Sequence, residues 1–201
     1  MLTISASREN LPFVNENGIL NEEEFGMALV PPLPADQWDE HVDSALKGLM
    51  PRHMRNPEDA GTAMATLVRH PDLTKAFLGF SVHLLFRSTL SPRLREMTIL
   101  RVAQVYECEY ERSHHIRMAE EEGGLTRPEI EAALAGTAED EFENRLLSAV
   151  DELHKNTALS EQTWNALGEH LSEQQRMDFI FTVGGYGLLA MAYNTFGIEF
   201  E

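Results

Sequence analysis

The segment SPRLREMTILRVAQV, residues 91–105, constrains the fold more than any other. Ser91 followed by Pro92 is a helix start. The hydroxyl can cap the first free amides, and the proline's fixed φ suits a first-turn position whose N–H has no partner anyway. Beyond it, Leu94, Met97, Ile99, Leu100, Val102 and Val105 occupy most of the helix circumference. A helix apolar on most sides must be enclosed by other elements, so this one is expected at the centre of the molecule.

Its surroundings are helical too. Trp38, Val42, Leu46 and Leu49 recur at helical spacing until Pro51, and Met64, Leu67 and Val68 mark a second helix that closes before Pro71. Leu73, Phe77, Phe80, Leu84 and Leu85 mark a third, to about Arg87. After the central segment comes a helix from about Cys108 to Glu122, ended by Gly123-Gly124. Thr126 and Glu129 then form a capping box for a short helix ending near Gly136. Phe142, Leu146, Val150 and Leu153 form another stripe, and Ser160 and Ser172 read as N-caps of the last two helices. No segment alternates with period two, and no repeat has solenoid spacing. The fold class is therefore all-α: a single helical domain over residues 35–201. Residues 1–34 precede it as a polar, extended arm ending in Pro31-Pro32-Leu33-Pro34.

Charge and cysteine usage narrow the partners. Lys+Arg 16 against Asp+Glu 33 leaves a formal charge of -17, which repels phosphate backbones and anionic membrane surfaces. The apolar run from Phe179 to Tyr193 is shorter than the ~20 residues of a membrane span and contains three glycines. It reads as a buried helix. In Gly184-Gly185-Tyr186-Gly187 the glycines imply close helix packing or room for a ligand, with packing favoured. A single Cys108 excludes an intrachain disulfide and suits a reducing compartment. With no signal-peptide core in MLTISASREN, a cytoplasmic, soluble protein is expected.

Four residues stand out chemically: Glu96, Cys108, Glu111 and His115. On one helix Glu111 and His115 share a face, with Cys108 one turn earlier. Glu96 joins them only if the chain reverses near Tyr106–Cys108. In an unbroken helix Glu96 and His115 would stand ~28 Å apart, and VYECEY holds no glycine or proline to force a bend. If they meet, His115 is the best acid or base, because its ordinary pKa lies near neutrality. Glu96 or Glu111 would orient it or share its proton. Glu107, Glu109 and Glu111 crowd Cys108 with negative charge and oppose thiolate formation. Tyr186 and His83 are candidate pocket-lining residues. Arg112 is a candidate clamp for a substrate carboxylate, although a solvated arginine among glutamates is the favoured reading. His114 points about 100° away from His115, toward the surface or an interface. Glu96, Glu111, His114 and His115 also admit a metal site as a minority reading, although adjacent histidines seldom face one ion.

The spacing of Glu96, Cys108, Glu111 and His115 resembles the active-site pattern of the carboxymuconolactone decarboxylase / AhpD-like family. Its peroxidase branch reads Glu…Cys-x-x-Cys-x-x-x-His there, and another branch reads Tyr-Glu-Trp-x-x-His. Tyr110-Glu111-Arg112-Ser113-His114-His115 is similar to the latter, which makes Tyr110 a further candidate for the substrate site. RHPDLTKAFLGF, SPRLRE, SAVDEL and DFIFTVGGYGLLAMAYNTFGIE extend the likeness over most of residues 31–201. The resemblance implies an AhpD-like helical bundle in which the Cys-bearing helix follows a bend, a homo-oligomer, and neither metal nor cofactor.

Glu111 stands where the second cysteine would be, and Arg112 where the tryptophan would be. A peroxidase of this type needs one thiol to be oxidised and one to resolve the sulfenic acid, so that cycle is expected to be lost. The function expected is a cofactor-independent acid/base lyase, decarboxylase-like, acting on a small carboxylated lactone or cyclic carbonyl compound. Proton transfer by His115 with help from Glu96 would carry it. The runner-up is an antioxidant thiol enzyme using Cys108 with an external thiol. The third possibility is a non-catalytic oligomeric binding protein.

Overall fold

The computed structural model describes residues 28–199. Most of the expected arm therefore lies outside the described residues. Its described end is tied to the body: the amides of Val30 and Leu33 donate to the carbonyls of Phe196 and Ala65, and Arg69 donates to the Pro31 carbonyl.

Nine α-helices follow among these residues, with no strand: α1 (Glu40–Leu46), α2 (Gly61–Leu67), α3 (Pro71–Phe86), α4 (Pro92–Val105), α5 (Glu109–Glu121), α6 (Arg127–Ala135), α7 (Glu141–Asn156), α8 (Glu161–Gly168) and α9 (Glu173–Phe196). The cap residues act as expected. The side chains of Ser91, Ser160 and Ser172 accept from the amides of Leu94, Thr163 and Gln175, and Thr126 and Glu129 close a capping box ended by the left-handed Gly136. One start differs. Trp38 is not part of α1, because Asp39 caps it by accepting from the amides of His41 and Val42. The Trp38 indole instead donates to the Leu33 carbonyl.

Helix α4 is the axis of the molecule, packed by α5, α6, α7 and α9. Ile99 and Val102 enter one core cluster with Leu146, Val150, Phe179 and Val183. Met97 and Leu100 enter another with Ala119, Leu125, Ile130 and Leu147. Each such side chain, fully withdrawn from water, contributes roughly 1.5–3 kcal/mol. Arg101 fastens the same helix to its neighbours through paired bonds to Asp151 of α7 (2.7 and 2.9 Å) and one to the Leu134 carbonyl of α6 (2.6 Å).

Gly185 and Gly187 of α9 serve packing. A Cβ on Gly185 would sit 2.6 Å from Leu84 and 3.0 Å from Phe80, and one on Gly187 would press on the Tyr106 ring at 3.1 Å. Gly79, exposed within α3, has nothing within 4 Å of a Cβ position. Gly79→Ala is therefore expected to stabilise the protein by up to about 1 kcal/mol through helix propensity. Gly185→Ala should destabilise it by about 1–3 kcal/mol through overpacking. Urea unfolding of the two variants checks the opposite signs.

Candidate active site

The reversal after α4 is made without glycine or proline. Glu107 adopts a left-handed conformation (φ 53°). Its amide donates to the Gln104 carbonyl while that of Cys108 donates to Ala103 at 2.8 Å, which together close the α4 terminus as a Schellman turn. A non-glycine residue there costs about 1–2 kcal/mol, offset by the packing of α5 against α4. That packing brings together two residues nineteen positions apart.

His115 Nδ1 donates to Glu96 Oε2 at 2.7 Å, and His115 Nε2 lies 3.2 Å from Glu111 Oε2. Arg95 completes the row, its Nε donating to Glu96 Oε1 at 2.9 Å and its Nη2 to Glu122 at 3.0 Å. Glu96 is wholly buried, and His115, Glu111 and Arg95 are 3%, 6% and 6% exposed. Positive and negative groups alternate along Arg95, Glu96, His115 and Glu111. Such charges persist out of water only when each is paired. Burial pushes the His115 imidazole down, but the Glu111 and Glu96 carboxylates more than offset it and hold its pKa at about 9. The ring is therefore an imidazolium at neutrality, with both nitrogens engaged.

The row ends at a cavity of about 310 Å³ between α2, α3, α5 and α9. Tyr110, Glu111, His114 and His115 line it from α5, Tyr186 and Tyr193 from α9, Phe77 and Leu85 from α3, with Met50 and Met64 beside them. The Tyr186 ring stands edge-on to His115 (5.0 Å between centroids), and Tyr110 stacks parallel to His114 and edge-on to Tyr193. Burial, and then the charge of His115, lower the His114 pKa from its ordinary value, and the Glu111 carboxylate opposes them in part.

Several sequence expectations are corrected here. Cys108 is 1% exposed, set among Ala63, Ala190, Tyr193 and Ile198 and not at the cavity rim. As N-cap of α5 it has extended backbone (φ −92°, ψ 97°), so helical-wheel geometry does not carry its side chain onto the face of Glu111. Burial raises its thiol pKa, the Glu111 charge adds to that, and the α5 backbone amides only partly oppose it. Arg112 does not line the cavity; it pairs with Glu109 and donates to Gln104 on the outer side of α5. His83 lies off the lining face of α3 and donates to Asp178, which also accepts from Thr89. His114 turns inward, because α5 presents positions 110, 111, 114 and 115 to the cavity together. Tyr193 and Arg95 were missed. Tyr193 lies one helical face along from Tyr186, a signal available in the sequence, whereas nothing in SPRLRE says that Arg95 folds back onto Glu96. Among the described residues, no three His, Cys, Asp or Glu side chains are grouped to hold a metal ion.

Residues 71–155, from α3 through α7, match the model of the Carboxymuconolactone decarboxylase family. That match spans under half of the chain and includes Glu96, Glu111 and His115. The fold is shared with the AhpD core of an uncharacterized peroxidase-related protein from Ralstonia eutropha JMP134 (TM-score 0.67, 17% identity, covering 86% of this chain and 93% of that one). It is shared also with the debrominase Bmp8 (TM-score 0.65, 19% identity, covering 86% and 92%). A cysteine-to-alanine variant of that debrominase, solved with 2,3,4-tribromopyrrole, aligns with TM-score 0.61 and 19% identity over 88% of this chain and 93% of that one. At these identities the likeness is one of fold. No curated protein matches the chain.

The pairing of His115 makes stability depend on pH in a definite direction. Its pKa of about 9 in the folded protein exceeds the ~6.5 of an unfolded histidine. The stabilisation is therefore complete below about pH 6.5 and is lost as pH rises through about 9. Urea midpoints should fall between pH 6.5 and 9.5 in the native protein, and fall less in His115→Asn.

Proposed function

We propose that this chain is a cofactor-independent enzyme that transfers protons on a small organic molecule held in the α3–α5–α9 cavity. The observation that carries this reading is the buried row Arg95, Glu96, His115 and Glu111 ending on a cavity of small-molecule size. Glu111 is the group that meets the substrate, as the acceptor of its proton. His115, saturated between two carboxylates, positions Glu111 and can return a proton to the product. Glu96 and Arg95 fix His115 from behind, so the site needs little rearrangement as charge moves.

Decarboxylation of a small lactone acid is one reaction the family suggests, and His115 could protonate the enolate left by loss of CO₂. Support for it is weaker, because no lysine or arginine among the described residues lines the cavity to seat the acid group. The experiment is an NMR screen of small ring carbonyl, lactone and phenolic compounds for turnover or for exchange of C–H protons with D₂O. On any compound that reacts, Glu111→Gln should cost 10²–10⁴-fold and Cys108→Ser little.

A second reading is single-thiol chemistry at Cys108. It is favoured by the similar structures, one described as peroxidase-related and another as a debrominase captured with its ligand after a cysteine was replaced. Peroxide consumption that requires an external thiol and is abolished by Cys108→Ser, but not by Glu111→Gln, would decide for it. The lone buried thiol also fits a reducing, cytoplasmic setting; among the described residues, no helix is long and apolar enough to cross a membrane.

We infer further that the protein works as a homo-oligomer through the outer face of α9. Met177, Phe181, Leu188 and Met191 are each about half exposed there. With Gly184 they alternate by four and three residues, the spacing of a helix–helix seam. Gly184 lies near the middle of the stripe with open space over its Cα, so a two-fold mate could approach closely and bury its own large residues beside it. Sedimentation should show an oligomer at micromolar concentration and a smaller species for Phe181→Glu. A native monomer would remove this inference.

A further inference from the structure

We infer that the ligand this cavity selects is an uncharged, single-ring compound offering one O–H or N–H to Glu111, and that carboxylates are excluded. This rests on the cavity being the substrate site, as proposed above, and it specifies the class of substrate.

Charge is the first ground. The acidic and basic side chains lining the cavity are Glu111, His114 and His115. Arg95, the row's guanidinium, does not line the cavity and is spent on Glu96 and Glu122. The His115 imidazolium has given one nitrogen to Glu96 at 2.7 Å and the other to Glu111 at 3.2 Å. A bound carboxylate would thus lose its hydration and meet the Glu111 carboxylate, with no cationic donor free to receive it.

Hydrogen-bonding capacity is the second. Glu111 uses Oε2 toward His115. Among the described residues nothing bonds its Oε1, although the side chain is only 6% exposed and lines the cavity. Oε1 is not among the enclosed, unpartnered polar atoms of the described residues, so it opens onto the cavity, where a ligand donor can reach it. Nor, among the described residues, does any group hydrogen-bond the hydroxyls of Tyr186 or Tyr193. Burial keeps both phenols protonated, so they offer neutral contacts to a carbonyl oxygen or another uncharged heteroatom.

Shape is the third. A volume of about 310 Å³ stands at the small end of the ~300–1,000 Å³ usual for organic-ligand pockets. Phe77, Tyr110 and Tyr186 with the thioethers of Met50 and Met64 form walls that suit the faces and edges of a flat ring.

The test uses the full chain at pH 7 and three probes of similar size: phenol, benzamide and benzoate. Benzamide and benzoate are nearly isosteric and differ in charge and in N–H donors. Isothermal titration, with ligand-observed NMR, should show saturable millimolar or tighter binding of phenol and benzamide, and benzoate at least about ten-fold weaker. Glu111→Gln, which removes the negative charge and leaves the imidazolium, should raise benzoate affinity relative to benzamide about ten-fold or more; Glu111→Ala serves if the glutamine variant does not fold. Phe77→Trp, which fills the cavity, should abolish binding of all three. Benzoate binding as tightly as benzamide, an unchanged ratio in both Glu111 variants, or failure of phenol and benzamide to bind would each overturn the inference. Failure of the proposed chemistry would look different: Glu111→Gln would leave turnover intact while the preference for neutral probes persisted.

Discussion

A fully desolvated carboxylate at the centre of the central helix is the constraint on which the rest of this structure depends. Glu96 lies on α4 between residues that belong to two apolar clusters, and it has no access to water. An ionised group in that position is tolerable only with its lone pairs filled by charged donors. Arg95 fills one oxygen and His115 the other. The second of these bonds crosses from α4 to α5, so the angle and register of the site helix are tied to the core. His115 in turn holds Glu111, and Glu111 is the first member of the row to meet open space. Core packing and the candidate site thus share one hydrogen-bonded row.

The helical architecture was largely legible because it is written in local chemistry. Ser91-Pro92, the Thr126–Glu129 box and Ser172 each act within one turn of where they stand, so no knowledge of distant contacts is needed. The meeting of Glu96 and His115 was legible only in spacing and resemblance. The turn between them places a glutamate in left-handed space, against its own preference, and tertiary packing decides such positions. Cys108 was placed by helical periodicity, which its extended N-cap backbone breaks, and His83, a candidate for the cavity wall, is captured by Asp178. Arg112 pairs with Glu109, in line with the favoured reading of an arginine among glutamates. Periodicity describes which face a residue occupies inside a helix; it is silent at helix ends and about which polar neighbour captures a long side chain.

The protonation of His115 changes the chemistry that the sequence suggests. A free imidazole near neutrality is a natural base, but between two carboxylates the ring becomes a held cation whose proton is kept to about pH 9. The group left to meet a ligand is then Glu111, which lines the cavity. In the chemistry proposed above, a proton passing from substrate to Glu111 would shift charge along a row already polarised by Arg95 and Glu96, and preorganised donors of this kind stabilise developing charge without reorganising.

The contrast between thiol and carboxylate chemistry in this fold comes down to which position of α5 meets the cavity. Position 111 does, and here it carries a carboxylate. Position 108 does not: it is buried in a cluster with Ala63, Ala190, Tyr193 and Ile198, and both burial and the Glu111 charge oppose its ionisation. For Cys108 to attack a ligand in the cavity, it would have to leave that cluster and form a thiolate close to a carboxylate. Each of these steps is unfavourable, and they act together. Glu111 needs none of them, because its oxygen is already presented at the wall. With a carboxylate and no thiol at its wall, the cavity carries, under the function proposed above, the means to hold and move a proton and not the means to be oxidised.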